Sequence, residues 1–133
     1  MDQVLLNKKV LIAEDEPAML SALADKFEQE GCVVIQAQDG QIALDCAVKE
    51  RPDIILLDIL MPKMNGMEVL DKIRKGSDWG SKVPIVILTN VAPTETITTG
   101  VIENKPSLYL IKVDWKLSEV VQKIRYFFEN PTS

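Results

Sequence analysis

Short apolar runs alternate with amphipathic stretches along most of the chain. The run Ile54–Leu57 consists of four apolar residues without polar alternation, which is typical of a strand buried on both faces of a parallel sheet. Between such runs, apolar residues recur at helical spacing. Alternating strands and helices favour an α/β fold with a parallel sheet. Five strands are predicted, at about residues 9–13, 32–37, 53–57, 85–88 and 108–111.

Five helices are predicted to connect and follow these strands. Pro17 suits the first turn of the first helix, and Gly31 is a good stop signal after it. The fourth helix, at about residues 94–103, is predicted to be short or distorted because the segment is rich in Thr, a weak helix former. The last helix, at about residues 117–128, has the clearest helical spacing of apolar residues. Residues 76–82 are predicted to be a polar loop.

Length and composition indicate one globular domain, expected over residues 1–133 with its core at about 9–128. Hydrophobic residues make up 47% of the chain and charged residues 26%, which argues against disorder. The net charge is −5 and no basic run is present, so direct nucleic-acid binding is disfavoured. The chain shows neither a signal-peptide pattern nor a membrane-spanning stretch, and the cytoplasm is the expected location. It contains no histidine, which excludes histidine-based catalysis on this chain.

Charged and hydroxyl side chains stand where the predicted strands end. Glu14 and Asp15 follow the first strand and Asp58 follows the third, while Thr89 and Lys112 follow the fourth and fifth. In open α/β sheets, the carboxyl ends of the strands form the ligand crevice. The flavodoxin-like order 2-1-3-4-5 would place strands one and three side by side, so that the three acids converge. Carboxylate oxygens in an open site suit Mg²⁺, with Mn²⁺ as a second candidate.

Lys112 and Thr89 would lie on the other side of the same crevice. An ammonium and a hydroxyl facing a metal-bound carboxylate form a clamp of the size of a phosphoryl group. Asp58 could then attack phosphorus, because carboxylates are known nucleophiles that form aspartyl phosphates.

With these residues at the ends of successive strands, the sequence resembles the receiver domain of response regulators in two-component signal transduction, the CheY-like superfamily. The resemblance spans about residues 9–128, and it implies a doubly wound five-stranded sheet with five helices in three layers. The matched residues are Glu14 and Asp15, Asp58 in Asp-Ile-Leu-Met-Pro with Gly66 eight residues on, Thr89, Tyr109 and Lys112.

The resemblance implies a metal-dependent phosphoacceptor. Asp58 is expected to accept a phosphoryl group from a phosphohistidine on a sensor histidine kinase or a histidine phosphotransfer protein. Mg²⁺ is expected to bind Glu14, Asp15, Asp58 and the backbone carbonyl of Leu60. Such a domain would catalyse only its own phosphorylation and dephosphorylation, so it is a signalling domain of a phosphorelay and not an enzyme with a separate substrate.

The resemblance also implies a switch. Thr89 and Lys112 are similar to the phosphate-contacting pair of the family, and Thr89 and Tyr109 are similar to its switch pair. Phosphorylation is expected to reshape the face formed by the fourth predicted helix, the fifth strand and the fifth predicted helix. That face would bind a downstream protein target or a second copy of the chain, and no membrane partner is expected.

The chain departs from the family pattern at two loop positions. Val113 follows Lys112 where proline in a cis bond is usual, and a cis bond before valine costs about 2.5–4 kcal/mol. We therefore expect either a trans bond with a shifted Lys112 or a strained cis bond. Asn90 follows Thr89 where a small residue is usual. The larger side chain is expected to narrow the path by which a phosphoryl group reaches Asp58.

Three alternative functions are weighed against phosphoryl acceptance. A receiver-fold interaction module that works without phosphorylation would not need intact Thr89 and Lys112. A flavodoxin-like electron carrier would need a phosphate-binding loop where the acids Glu14 and Asp15 stand. A phosphatase of the haloacid dehalogenase type would need a second aspartate at the position of Leu60.

Overall fold

The computed structural model describes residues 4–130 of the protein. In this part of the chain, five strands form one parallel sheet in the order β2-β1-β3-β4-β5. β1 lies between β2 and β3, and Ala13 at its end pairs with both Ala37 and Leu57. The predicted flavodoxin-like, doubly wound fold is confirmed. The strands are β1 (Lys9–Ala13), β2 (Val33–Ala37), β3 (Ile54–Leu57), β4 (Ile85–Thr89) and β5 (Leu108–Ile111).

Residues 4–130 contain six α-helices, one more than the sequence predicts. A 3-10 turn, Lys112–Asp114, directly follows β5. None of the helices in the described residues is both long and apolar enough to cross a bilayer. The helices are α1 (Pro17–Gln29), α2 (Gly40–Glu50), α3 (Gly66–Gly76), α4 (Asp78–Lys82), α5 (Glu95–Asn104) and α6 (Leu117–Glu129).

Both faces of the sheet are covered by helices, which gives three layers. Alternate strand side chains point to opposite faces. On one face they pack with α1 and α6, where Phe27 and Ile124 are buried. On the other they pack with α2 and α3, where Ala43 and Leu70 are buried. Burial on both faces explains why the strands read as continuous apolar runs.

α4 replaces the polar loop predicted at residues 76–82. Its first turn is capped by Ser77 Oγ, which accepts a hydrogen bond of 2.9 Å from Gly80 N. Gly80 also allows α4 to approach α3 closely, because a Cβ there would lie 2.0 Å from Ile73 O. The sequence pattern missed this helix because five residues are too few to show helical periodicity.

α5 forms in the segment predicted to be short or distorted, and it is a ten-residue helix. Its N-terminus is capped by Thr94 Oγ1, which accepts a hydrogen bond of 3.3 Å from Ile97 N. Arg74 of α3 caps the other end by donating to Asn104 O at 2.8 Å and to Lys105 O at 3.3 Å. These contacts satisfy backbone groups that a helix leaves without internal partners. The helix is therefore held by its caps and packing, in spite of weak local propensity.

Candidate functional site at the carboxyl edge of the sheet

Glu14, Asp15 and Asp58 lie together where β1 and β3 end. Asp58 N donates to Ala13 O at 3.0 Å, so the pairing of the two strands continues one residue beyond the end of β3. Each of the three acids offers a carboxylate oxygen, and these oxygens lie within 4.8 Å of one another. Glu14 and Asp58 are 2% and 5% exposed, whereas Asp15 is exposed. The cluster is therefore open to solvent on the side of Asp15.

Lys112 is brought to the same cluster from the end of β5. Its Nζ lies 2.5 Å from Glu14 Oε1 and 2.7 Å from Asp58 Oδ2. No peptide bond within residues 4–130 is cis, so the bond between Lys112 and Val113 is trans. Of the two alternatives expected for this bond, the structure has the trans form. Lys112 Nζ contacts Asp58 next to this trans bond, and the shift expected of Lys112 stays a prediction.

The charges of Glu14, Asp58 and Lys112 are largely buried and lie close together. Burial raises the pKa of Glu14 above its usual value, although its hydrogen bonds to Lys112 and to Glu16 N oppose the shift. Burial also disfavours the charged form of Lys112, but hydrogen bonds and attraction to Asp58 and Glu14 outweigh that cost and raise its pKa. Three carboxylates and one ammonium group leave two net negative charges.

This donor set fits a hard divalent cation. Mg²⁺ prefers oxygen ligands, keeps several waters and is bound by a few carboxylates, all of which an open acidic cluster provides. Two net negative charges match the charge of the ion. The loop after β3 also contributes to the site, because Leu60 N donates to Asp58 Oδ1 at 3.3 Å and so orients the carboxylate.

Two glycines let the loop after β3 fold tightly beside Asp58. A Cβ on Gly66 would lie 2.1 Å from Asp58 O, and a Cβ on Gly40 would lie 1.8 Å from Met64 O. Gly66 N donates to Ile59 O at 2.8 Å. In the sequence, Asp39-Gly40 is only a turn signal. The close approach of Gly40 to this loop depends on a segment more than twenty residues away.

Thr89 and Tyr109 are linked through one backbone residue. Thr89 is fully buried at the end of β4, and its Oγ1 accepts a hydrogen bond of 3.3 Å from Val91 N. Tyr109 lies on β5, and its hydroxyl donates to Val91 O at 2.8 Å. Burial, together with the negative charge of Asp58, raises the pKa of Tyr109. Thr89 and Tyr109 therefore contact the same residue of the loop after β4.

Comparison with known proteins identifies the family. The model for the response regulator receiver domain matches residues 10–125. The chain belongs to the response regulator receiver family. Receivers are signalling domains of two-component systems, which work with sensor kinases or phosphotransfer proteins and typically bind Mg²⁺.

Similar proteins support the assignment. The receiver is 32% identical over 120 residues to the DNA-binding response regulator MtrA of Mycolicibacterium smegmatis, covering 90% of this chain and 50% of that protein. It is 40% identical over 70 residues to sporulation initiation phosphotransferase F of Bacillus subtilis, covering 53% of this chain and 56% of that protein. The receiver domain of Francisella response regulator 1452 superposes with a TM-score of 0.80 at 27% identity, covering 95% of this chain and all of that one. The chain spans only about a third to a half of the length of several curated relatives.

Proposed function

We propose that this receiver accepts a phosphoryl group on Asp58 from a phosphohistidine donor in a Mg²⁺-dependent phosphorelay. The observation that carries the proposal is the contact of Lys112 Nζ with Asp58 Oδ2 at 2.7 Å, inside a cluster of three acids. The name of sporulation initiation phosphotransferase F, a relative at 40% identity, is consistent with such a reaction. A single domain over residues 1–133, located in the cytoplasm, is part of the same proposal.

In the transfer step, a carboxylate oxygen of Asp58 attacks phosphorus. The new O–P bond forms as the P–N bond to the donor histidine breaks, and the electron pair of that bond leaves with the imidazole nitrogen. Leu60 N, which donates to Asp58 Oδ1, holds the carboxylate in a fixed orientation. Lys112, whose ammonium group contacts Asp58, would contact the phosphoryl oxygens and offset the charge spread over them.

Mg²⁺ would be held by Glu14, Asp15, Asp58 and the backbone carbonyl of Leu60, and Mn²⁺ could take its place. When bound, the ion supplies positive charge to the phosphoryl oxygens. The residues of the chain perform the remaining steps. They orient the nucleophile, provide a second positive charge and exclude water from the buried side of the site.

Thr89 and Tyr109 would couple phosphorylation of Asp58 to a change at the face formed by α5, β5 and α6. The Thr89 hydroxyl is bonded to Val91 N, and Tyr109 is bonded to Val91 O. Redirecting the Thr89 hydroxyl to a phosphoryl oxygen would release Val91 N and change the loop that Tyr109 contacts. The face formed by α5, β5 and α6 would then change its affinity for a protein target.

Phosphorylation of defined variants tests the proposal. With phosphoramidate and Mg²⁺, the wild type is expected to gain the mass of one phosphoryl group, and hydroxylamine should remove it because an acyl phosphate is labile. Asp58→Asn should gain nothing. Asp45→Asn, which changes an exposed aspartate of α2, should behave like the wild type.

Two results would contradict the proposal. An equal mass gain in Asp58→Asn would place the acceptor elsewhere. If the wild type gained no mass, the chain would instead be a receiver-fold interaction module that works without phosphorylation.

A further inference from the structure

A side chain bridges the two loops that carry Thr89 and Lys112. Asn90 Oδ1 accepts a hydrogen bond of 3.1 Å from Val113 N. The last paired residues of β4 and β5 are Thr89 and Ile111, so this bond lies just beyond the end of the sheet. It connects the strands where backbone pairing has stopped.

The contact depends on both departures from the family pattern. A proline at position 113 would have no N–H to donate, and a small residue at position 90 would not reach across the gap. Val113 is 79% exposed, so its side chain contributes little packing. The backbone N–H is therefore the part of Val113 that links the two loops.

The bond restricts the backbone next to Lys112. Proline would fix the φ angle at position 113 through its ring. Valine lacks that constraint. The hydrogen bond to Asn90 supplies a different one, because it restrains the orientation of the trans peptide between Lys112 and Val113. The 3-10 turn adds a second restraint, since Trp115 N donates to Lys112 O at 3.2 Å.

We propose that Asn90 is a positioning residue for Lys112: by accepting the Val113 N–H, it fixes the peptide after Lys112 and holds the ammonium group on Asp58 and Glu14. Its effect on phosphoryl transfer rests on the function proposed above. Because Asn90 follows Thr89 directly, the same bond also extends the link between β4 and β5 beyond the pair of Thr89 with Ile111.

Asn90→Ala and Asn90→Asp test the role of the acceptor. The alanine variant should lower the maximal rate of phosphorylation by phosphoramidate about two- to tenfold, the effect of losing one hydrogen bond. The aspartate variant retains a side-chain oxygen at the same distance from the backbone and should recover most of the rate. Asn90 is exposed, so all variants should melt near the wild-type temperature. Equal maximal rates for the wild type and Asn90→Ala would overturn the proposal.

A double-mutant cycle tests whether the effect runs through the Val113 N–H. Val113→Pro removes the donor, so adding Asn90→Ala to it should change the phosphorylation rate no further. If Asn90→Ala lowers the rate by the same factor with proline at position 113 as in the wild type, the bond does not carry the effect and the proposal fails.

A measurement without any phosphoryl donor separates this inference from the proposed function. The ammonium protons of Lys112, followed by ¹⁵N NMR in metal-free buffer, should exchange with water faster in Asn90→Ala than in the wild type. The Val113 amide should lose its protection at the same time. Unchanged exchange at Lys112 would refute the positioning role, whereas a wild type that resists phosphorylation would refute only the proposed acceptor function.

Discussion

Two lysine–aspartate ion pairs show how burial changes the contribution of such a pair to stability. Lys112 Nζ lies 2.7 Å from Asp58 Oδ2, and the Lys112 side chain is only 15% exposed. Lys82 Nζ lies 3.5 Å from Asp78 Oδ2, and the Lys82 side chain is 75% exposed. Water screens the second pair, so that this pair adds little to the stability of the fold. The first pair replaces lost hydration at a buried site, so removing one partner leaves an uncompensated charge.

Lys112→Met should lower the free energy of unfolding in metal-free buffer by about 1.5–3 kcal/mol, because Glu14 and Asp58 are left together without a cation. Lys82→Met is the matched control and should have a much smaller effect. Urea denaturation measures both. Adding Mg²⁺ should recover part of the loss in Lys112→Met, since the ion would supply the missing positive charge. Equal losses in the two variants would contradict the importance of burial at this site.

At the scale of elements, the loop between β3 and α3 depends on how closely α3 can begin beside Asp58. Gly66 opens the helix where a Cβ would collide with Asp58 O, while a Cβ on Gly76 at the other end of α3 would meet nothing within 4 Å. The two glycines therefore serve different purposes in one helix. Gly66 lets the loop after β3 pass close to the start of α3, whereas a side chain at Gly76 would meet no neighbouring atom.

Gly66→Ala should lower the free energy of unfolding by about 1–3 kcal/mol through overpacking, and it should slow phosphorylation by moving the Asp58 loop. Gly76→Ala should instead stabilise the protein by about 0.4–1 kcal/mol, because it reduces the freedom of the unfolded chain. Urea melts and the rate of phosphorylation by phosphoramidate measure the two effects. A Gly66→Ala protein with wild-type stability and rate would show that the loop relaxes without cost.

For the whole molecule, the proposed switch joins the site to one edge of the sheet. β5 is an edge strand, and Tyr109 connects it to the loop that precedes α5 through Val91 O. β2 forms the opposite edge. A signal that passes through Tyr109 should therefore reach α5, β5 and α6 before it reaches α2 or β2.

Beryllofluoride with Mg²⁺, which mimics a phosphoryl group on aspartate, should shift the amide NMR signals of α5, β5 and α6 more than those of α2 and β2. Tyr109→Phe lacks the hydroxyl that donates to Val91 O. It should still bind beryllofluoride, but the shifts in α5 and α6 should be smaller. Shifts confined to the loops around Asp58 in the wild type would argue against the switch.

The parts of the fold that could be predicted are those that repeat locally. All five strands lie within one residue of their predicted bounds, because a strand buried on both faces must be apolar at successive positions. The segment Asp78–Lys82 was missed as a helix, because its stability comes from the Ser77 cap and from contact with α3. Local pattern therefore predicts elements long enough to show a period, and it overlooks those held by a few specific contacts.

The sequence by itself determined that Glu14, Asp15, Asp58 and Lys112 stand at the ends of parallel strands, since apolar runs mark the strands and all their carboxyl ends share one edge. Only the tertiary structure decided that Lys112 Nζ rests on two carboxylates across a trans peptide, and that Asn90 joins Val113. The physical reason is the separation along the sequence between the residues that interact. Strand character is set by neighbouring residues, whereas these contacts require atoms from segments far apart in the chain to lie within 2.5–3.1 Å of one another.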